Sequence, residues 1–154
     1  YMTRVSAENV RQVLAADLNW NPSYSYSTLP KEYEGKEIPE HWKVMLTPVE
    51  PPEKGYPRFR DVYLSQVKAE NVDEFISASG WNDSLRLENF YLHAIKATTN
   101  SPGKICYTRN FNLSDITLYA KNRNDMELKE NEQSNIQFSY ANPTNSDNRT
   151  AEHL

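Results

Sequence analysis

The side chains best suited to binding a ligand lie in one short stretch, LNWNPSYSY. Its aromatic residues Trp20, Tyr24 and Tyr26 offer flat faces with polar edges, which suit the CH groups of a sugar ring. Asn19 and Asn21 add amide groups that hydrogen-bond sugar hydroxyls. The stretch therefore predicts a carbohydrate-binding site at these five residues. The alternative interpretation is that the aromatics pack a long insertion onto the rest of the fold.

The carboxylates and histidines do not form a recognisable catalytic or metal set. Asp61 and Asp115 are of the type that general acid–base chemistry needs, but they occupy equivalent positions of a repeat, with Asn89 between them. That placement favours a ladder of turn residues over a catalytic pair. No metal-ligand spacing surrounds the histidines, which are His41, His93 and His153. The sequence predicts no catalytic residue, metal site or cofactor.

A row of basic residues is the second place where a ligand could bind. Lys68 and Lys96 fall at the same position of the repeat, and Arg109 lies at a strand end. Such a row could face an acidic polysaccharide. The favoured interpretation is an ordinary solvated face.

The composition limits the classes of function. The chain has 154 residues, a formal net charge of −4, 38% hydrophobic and 12% aromatic residues, which fits one folded domain. No dense Lys/Arg run offers a phosphate-binding stripe, so nucleic-acid binding is not predicted. No stretch reaches the roughly 18 apolar residues of a membrane span. The single cysteine, Cys106, excludes an internal disulfide and is predicted to be a small core residue beside Ile105.

A repeat organises the chain. Three segments share an apolar pattern at steps of 28 and 26 residues: 58–69, 84–97 and 110–121. The matched positions are Phe59 with Leu87 and Leu113, Asp61 with Asn89 and Asp115, Val62 with Phe90 and Ile116, and Leu64 with Leu92 and Leu118. A partial first copy puts Asn9 and Val10 in the same register, and a partial fifth matches Ile136 and Phe138 to Phe111 and Leu113. A fixed step in this range is typical of stacked repeats.

The repeat predicts an all-β fold, a right-handed parallel β-helix of about four to five coils. Period-two runs such as Leu85 and Leu87 followed by Phe90 and Leu92 indicate short strands joined at Asn or Asp bends. Further short runs, EFISASG, KICYT and DMEL, supply a third strand to each coil. A β-sandwich also has short alternating strands, but it gives no reason for a motif that recurs in register. A leucine-rich repeat needs shorter units and a stricter leucine pattern.

The domain boundaries follow from proline and polar content. A single β-helix domain is predicted over residues 1–140, with a polar tail at 141–154. An insertion at about 21–57 carries seven of the nine prolines, which a central strand does not tolerate.

The coil SLRLENFYL resembles the C-terminal coils of glycoside hydrolase family 28, the polygalacturonase and rhamnogalacturonan hydrolase group. The segments YMTRVSAENVRQV, LNWNPSYSYSTLP, IPEHWKVM and PRFRDVYLSQVKAENVDEFISASG are similar to the same family. The resemblance spans roughly Tyr1 to Ser139. It implies a secreted, periplasmic or cell-surface enzyme that hydrolyses pectin-type bonds with inversion. It also implies that the strand with LNW lines the substrate cleft, which puts Asn19 and Trp20 near an outer subsite.

The catalytic motifs of that family are not reproduced here. Inverting hydrolysis needs an acid and a base about 6.5–9.5 Å apart. The family draws these carboxylates from Asn-x-Asp and Asp-Asp motifs supported by Gly-His-Gly and Arg-x-Lys, and we interpret this sequence as lacking all four. The resemblance therefore implies a C-terminal portion, with the catalytic carboxylates upstream and missing N-terminal coils or another chain covering the first coil. The alternative is a non-catalytic β-solenoid that binds carbohydrate or a protein partner.

Overall fold

Parallel strands make up most of the chain that the computed structural model describes, namely residues 1–18, 29–48, 50–120 and 122–142. The strands are β1 (Met2–Glu8), β2 (Gln12–Asp17), β3 (Arg60–Ser79), β4 (Leu87–Ala120), β5 (Glu127–Glu132), β6 (Asn135–Ile136) and β7 (Ser139–Tyr140). Every pairing among them is parallel. The predicted all-β class is confirmed.

The pairing order places successive passes of the chain side by side. β1 and β2 both pair with β3, β3 pairs with β4, and β4 pairs with β5, β6 and β7. The registers include Met2 with Leu64 and Leu64 with Leu92. The short runs also pair as predicted, since Ala78 lies opposite Ile105 and Ile105 opposite Leu128.

The long strands bend at residues with left-handed backbone angles. Asp61, Asn89 and Asn110 have φ values of 62°, 57° and 54°, a region that Asn and Asp tolerate better than other side chains. Asn89 Nδ2 donates to Asp61 Oδ1 at 2.8 Å, and Asn110 Nδ2 donates to Asn89 Oδ1 at 2.9 Å. The predicted Asn/Asp turn ladder is therefore confirmed at Asp61 and Asn89.

Side-chain contacts within β4 join residues that are 21 apart rather than 26. Phe90 stacks on Phe111 with ring centroids 5.1 Å apart, and Asn89 contacts Asn110. The predicted match of Asn89 with Asp115 is therefore wrong. The first step of 28 residues contains a loop at 80–86 that has no equivalent in the next pass. Because apolar side chains alternate with period two around several bends, the pattern alone allowed more than one register.

The first and last copies are also displaced from the predicted alignment. Asn71 Nδ2 donates to Asn9 Oδ1, so Asn9 aligns with Asn71 and not with Asp61. The tetrapeptide AENV occurs at 7–10 and again at 69–72, and the two copies lie side by side. At the other end Ile136 pairs with Leu113, two residues away from its predicted match. An exact repeat at a step of 62 residues was thus the stronger signal.

A continuous apolar core lies inside the stacked passes. Its largest fully buried side chains are Phe75, Phe90, Phe111, Ile76, Leu87, Leu92, Ile95, Ile105, Leu113, Leu118 and Val72. Cys106 is 6% exposed beside Ile105, which confirms its predicted place in the core.

The described part of the predicted insertion contains no strand. Residues 29–48 and 50–57 carry α1 (Glu40–Leu46) and two 3-10 turns, Lys31–Tyr33 and Pro52–Gly55. No helix in the described residues is long and apolar enough to cross a membrane. Of the predicted tail, only residues 141 and 142 are described, and the Ala141 N–H donates to the Leu118 carbonyl at 3.0 Å.

Candidate functional site

The predicted sugar-binding residues Asn19, Trp20, Asn21, Tyr24 and Tyr26 lie outside the described residues. The residue that precedes them, Leu18, belongs to the apolar core. Leu18 is 7% exposed, and its N–H donates to the Ser79 carbonyl at 3.3 Å.

A polar cavity of about 310 Å³ lies where the segment entering β3 meets the loop before β4. We call it the arginine pocket. Its lining residues are Glu53, Tyr56, Pro57, Arg58, Phe59, Arg60, Ser84, Leu85, Arg86 and Glu88. Its volume is at the lower end of the range for small-molecule sites, about 300–1,000 Å³.

The loop wall of the arginine pocket is held by its own backbone. Asn82 Oδ1 accepts hydrogen bonds from the N–H groups of Ser84 and Leu85 at 2.9 and 3.0 Å, the local bonding that makes Asn a turn residue. The Trp81 N–H donates to the Leu85 carbonyl at 2.8 Å. Gly80 is required for this approach, because a Cβ there would lie 2.8 Å from the same carbonyl oxygen. The wall is therefore formed before any ligand arrives.

The floor of the arginine pocket is a buried guanidinium. The Arg86 side chain is 3% exposed and forms ion pairs with Asp83 at 3.2 Å and Glu132 at 3.0 Å. Its Nε donates to the Asp83 carbonyl at 2.9 Å, and its NH1 group donates to the Glu130 carbonyl. Burying a cation is costly unless it is paired and hydrogen-bonded. These contacts satisfy that condition and fix the side chain.

The ion pairs extend from Arg86 to the predicted basic row. Arg109 contacts Glu132 and Glu88, each at 3.0 Å. Arg109 therefore belongs to a charge network under the arginine pocket. Without Arg109, the predicted basic row consists of Lys68 and Lys96, which lie side by side as predicted. Both are exposed.

The opposite wall of the arginine pocket presents exposed aromatic and basic groups. Tyr56 is 47% and Phe59 39% exposed, and the Phe59 ring packs edge-on against Phe90 at 5.4 Å. Arg58 forms no ion pair with another described residue, whereas Arg60 Nε lies 3.4 Å from Asp61 Oδ2. Guanidinium groups bind carboxylates and aromatic faces pack on sugar CH groups. The sequence reasoning missed this wall, although the segment RFR places two arginines around an aromatic residue.

A column of stacked tyrosines on the sheet is less suited to a sugar. Tyr1 stacks on Tyr63 at 4.4 Å and Tyr63 on Tyr91 at 4.9 Å, each with an interplanar angle of 11°. Burial, followed by the neighbouring Tyr1 and Tyr91, raises the pKa of Tyr63. The rings cover one another, so both faces of the central ring are occupied.

The carboxylates that resemble catalytic groups have local roles. Asp61 accepts the Asn89 hydrogen bond at one bend, while Asp115 occupies a separate bend with φ 52°. The two are not neighbours in the ladder.

The interpretation that the sequence lacks the Asn-x-Asp motif is wrong, because one match lies within the described residues. It consists of Asn71 and Asp73. The Asn71 side chain donates to Asn9, and the Asp73 N–H donates to the Val10 carbonyl at 3.3 Å. These contacts hold a bend of the sheet together. A second match, residues 145–147, lies outside the described residues.

The remaining reactive side chains have ordinary surroundings. His41 on α1 lies beside Trp42, with ring centroids 5.9 Å apart, as expected for a loop contact. His93 Nδ1 lies 2.9 Å from Ser114 Oγ on the exposed face. Burial is the main cause that raises the pKa of the Cys106 thiol, and a raised pKa disfavours the nucleophilic thiolate. His153 lies outside the described residues.

The β1–β2 edge is the second distinctive surface. It is an apolar cavity of about 280 Å³, lined by Tyr1, Met2, Val5, Ala7, Val10, Gln12, Val13, Leu14, Asp61, Val62, Tyr63, Leu64 and Val67. Neither strand pairs with a described strand other than β3. Met2 is 62% exposed, whereas Leu64 and Leu92, which follow it in register, are 7% and 1% exposed. Within the part of the chain that the structure describes, the edge therefore presents an uncovered cross-section of the apolar core.

No family model, curated protein or solved structure matches this chain. Among the described residues, no group of three or more His, Cys, Asp or Glu side chains could hold a metal ion.

Proposed function

We propose that the sheet is a right-handed parallel β-helix and that the chain is the C-terminal, non-catalytic part of a pectin-directed glycoside hydrolase. The observation that carries the proposal is the column of bends at Asp61, Asn89 and Asn110, hydrogen-bonded at 2.8 and 2.9 Å. Stacked Asn/Asp bends in parallel register are what the resemblance to glycoside hydrolase family 28 requires.

Three features of the described strands support this architecture. All pairings are parallel, residues 21 apart in β4 contact each other, and the bends recur in register. In the proposed β-helix, these contacts within a strand of 34 residues arise because the chain completes one turn between them. The right-handed sense is proposed because parallel crossover connections have that hand in about 98% of cases.

A supporting role is proposed because inverting hydrolysis requires two carboxylates placed on either side of the scissile bond. Asp61 and Asp73 take part in bends of the sheet, and Glu88 and Glu132 are paired with Arg109. In this proposal the acid and base come from residues outside these 154, and the chain contributes a wall of the cleft and stability.

The alternative is a β-solenoid that binds a partner without belonging to an enzyme. The β1–β2 edge favours it, because an exposed apolar surface beside strands that pair only with β3 among the described strands is suited to a further β-layer. The hydrolase proposal requires the same edge to be covered by preceding coils. Both proposals therefore require a covered β1–β2 edge. Only the hydrolase proposal also requires binding of a pectin-type polysaccharide.

Affinity electrophoresis of the 154-residue chain tests the proposed function. We expect retardation in gels that contain polygalacturonate, no retardation in gels that contain neutral galactan, and no release of reducing ends from polygalacturonate. Equal migration in all gels would contradict a pectin-directed role and favour the partner-binding solenoid. Reducing ends released by the chain alone would contradict the supporting role.

A further inference from the structure

We infer that the arginine pocket binds a uronate, a sugar that carries a carboxylate. This inference deepens the proposed function, because it assigns the contact with an acidic polysaccharide to residues far along the chain from 19–26. The pocket combines a fixed wall, a fixed floor and an exposed basic–aromatic wall in one cavity of about 310 Å³.

The basic groups fit a carboxylate. Arg58 and Arg60 are two residues apart in the chain, and both line the arginine pocket. Both are exposed, Arg58 has no ion pair among the described residues, and Arg60 has only a 3.4 Å contact with Asp61. A guanidinium presents paired donors that match the two oxygens of a carboxylate. A ligand carboxylate therefore finds donors that the protein has not used.

The remaining lining groups favour a sugar over a simple anion. Tyr56 and Phe59 expose ring surface, which packs against sugar CH groups. Glu53 is an exposed carboxylate that accepts hydrogen bonds from hydroxyls, while the charge of Glu88 is balanced by Arg109 at 3.0 Å. Inorganic phosphate and sulfate offer no apolar face for these rings to pack against. The mixed lining therefore selects a ligand with a carboxylate, hydroxyls and CH groups together.

The buried network makes the pocket rigid. Arg86 is tied to Asp83 and Glu132, and Glu132 is tied to Arg109. The Glu88 N–H also donates to the Phe59 carbonyl at 3.3 Å, which joins the two walls. A site that is formed in advance loses little free energy to ordering when a ligand binds.

Calorimetric titration of trigalacturonate into the chain tests this inference. The variants are Arg58→Gln and Arg60→Gln, and the matched control is Arg4→Gln. Arg4→Gln makes the same change of charge outside the pocket. A glutamine fits the backbone there, because Gln66, the neighbour of Arg4 in register, has a φ of 55°, close to the 57° of Arg4. We expect each pocket variant to bind about tenfold more weakly, as for loss of a charge-assisted hydrogen bond, and Arg4→Gln to bind as the unaltered chain does. The carboxyl-reduced trisaccharide should not bind.

Four other results separate this inference from the proposed function. Unchanged affinity in Arg58→Gln and Arg60→Gln would overturn the pocket and leave pectin binding intact. An equal loss in Arg4→Gln would also overturn it, because binding would then follow net charge. Binding of an alginate trimer but not trigalacturonate, lost in Arg58→Gln, would support the pocket and overturn the pectin-directed role. No binding of any uronate would overturn both.

Discussion

The stack of Phe90 on Phe111 gives a direct test of the 21-residue return in β4. Both rings are fully buried, their centroids lie 5.1 Å apart, and their planes differ by 9°. We expect Phe90→Leu and Phe111→Leu each to lower the free energy of unfolding by about 1–2 kcal/mol. An aromatic pair adds about 0.5–1.5 kcal/mol beyond burial. Either single variant removes the contribution of the aromatic pair. The loss of unfolding free energy in the double variant should therefore be smaller than the sum of the two single losses by about that contribution.

A double-mutant cycle in urea, followed by far-UV circular dichroism, measures this coupling. Each single variant should also lower Tm by roughly 3–6 °C, since about 2–4 °C corresponds to 1 kcal/mol at this size. The control cycle pairs Phe90→Leu with Ile116→Val, because a 26-residue step would make Phe90 and Ile116 neighbours. We expect that control to be additive within about 0.5 kcal/mol. Stronger coupling of Phe90 to Ile116 than to Phe111 would refute the observed register.

Two further predictions concern Cys106 and the β1–β2 edge. Burial raises the folded-state pKa of Cys106, so its stabilising contribution is complete below the unfolded-state pKa of about 8.5 and is lost as the pH rises through the folded value. We expect the unfolding free energy to fall above about pH 8.5, less steeply in Cys106→Ala, and identical slopes would contradict this. Met2 is 62% exposed, and among the described strands β1 and β2 pair only with β3. We therefore expect concentration-dependent self-association in sedimentation equilibrium, weakened by Met2→Glu. A strictly monomeric unaltered chain would show that the edge is not adhesive.

The sequence was informative about local structure and less so about register. Asn and Asp at the bends, and the pairing of the run containing Ala78 with that containing Ile105, could be predicted because each depends on local preferences. The separation between Asn89 and its neighbour in the next pass could not be predicted. Loop 80–86 lengthens only one pass, and the apolar alternation does not identify which pass is longer. The AENV repeat at Asn9 and Asn71 was hidden by the intervening insertion.

The arginine pocket shows why a site can escape sequence reasoning. Its walls come from residues 53–60 and 84–88, and its floor is anchored to Glu132, so no single motif contains it. The five predicted residues at 19–26 form a compact aromatic motif in the sequence, which made that stretch more conspicuous. Arg86 gave no signal, because only the fold shows that its side chain is 3% exposed.

The two ends of the sheet differ in a way that limits where a partner can add. At the last pass, β5 is exposed and carries alternating charges at Glu127, Lys129 and Glu130, with Leu128 between the first two. Charged side chains on an edge strand discourage further pairing. The β1–β2 edge instead exposes an apolar cross-section around Met2 with little charge. Under either of the two proposed functions, we therefore expect any further β-layer to add along β1 and β2 rather than along β5.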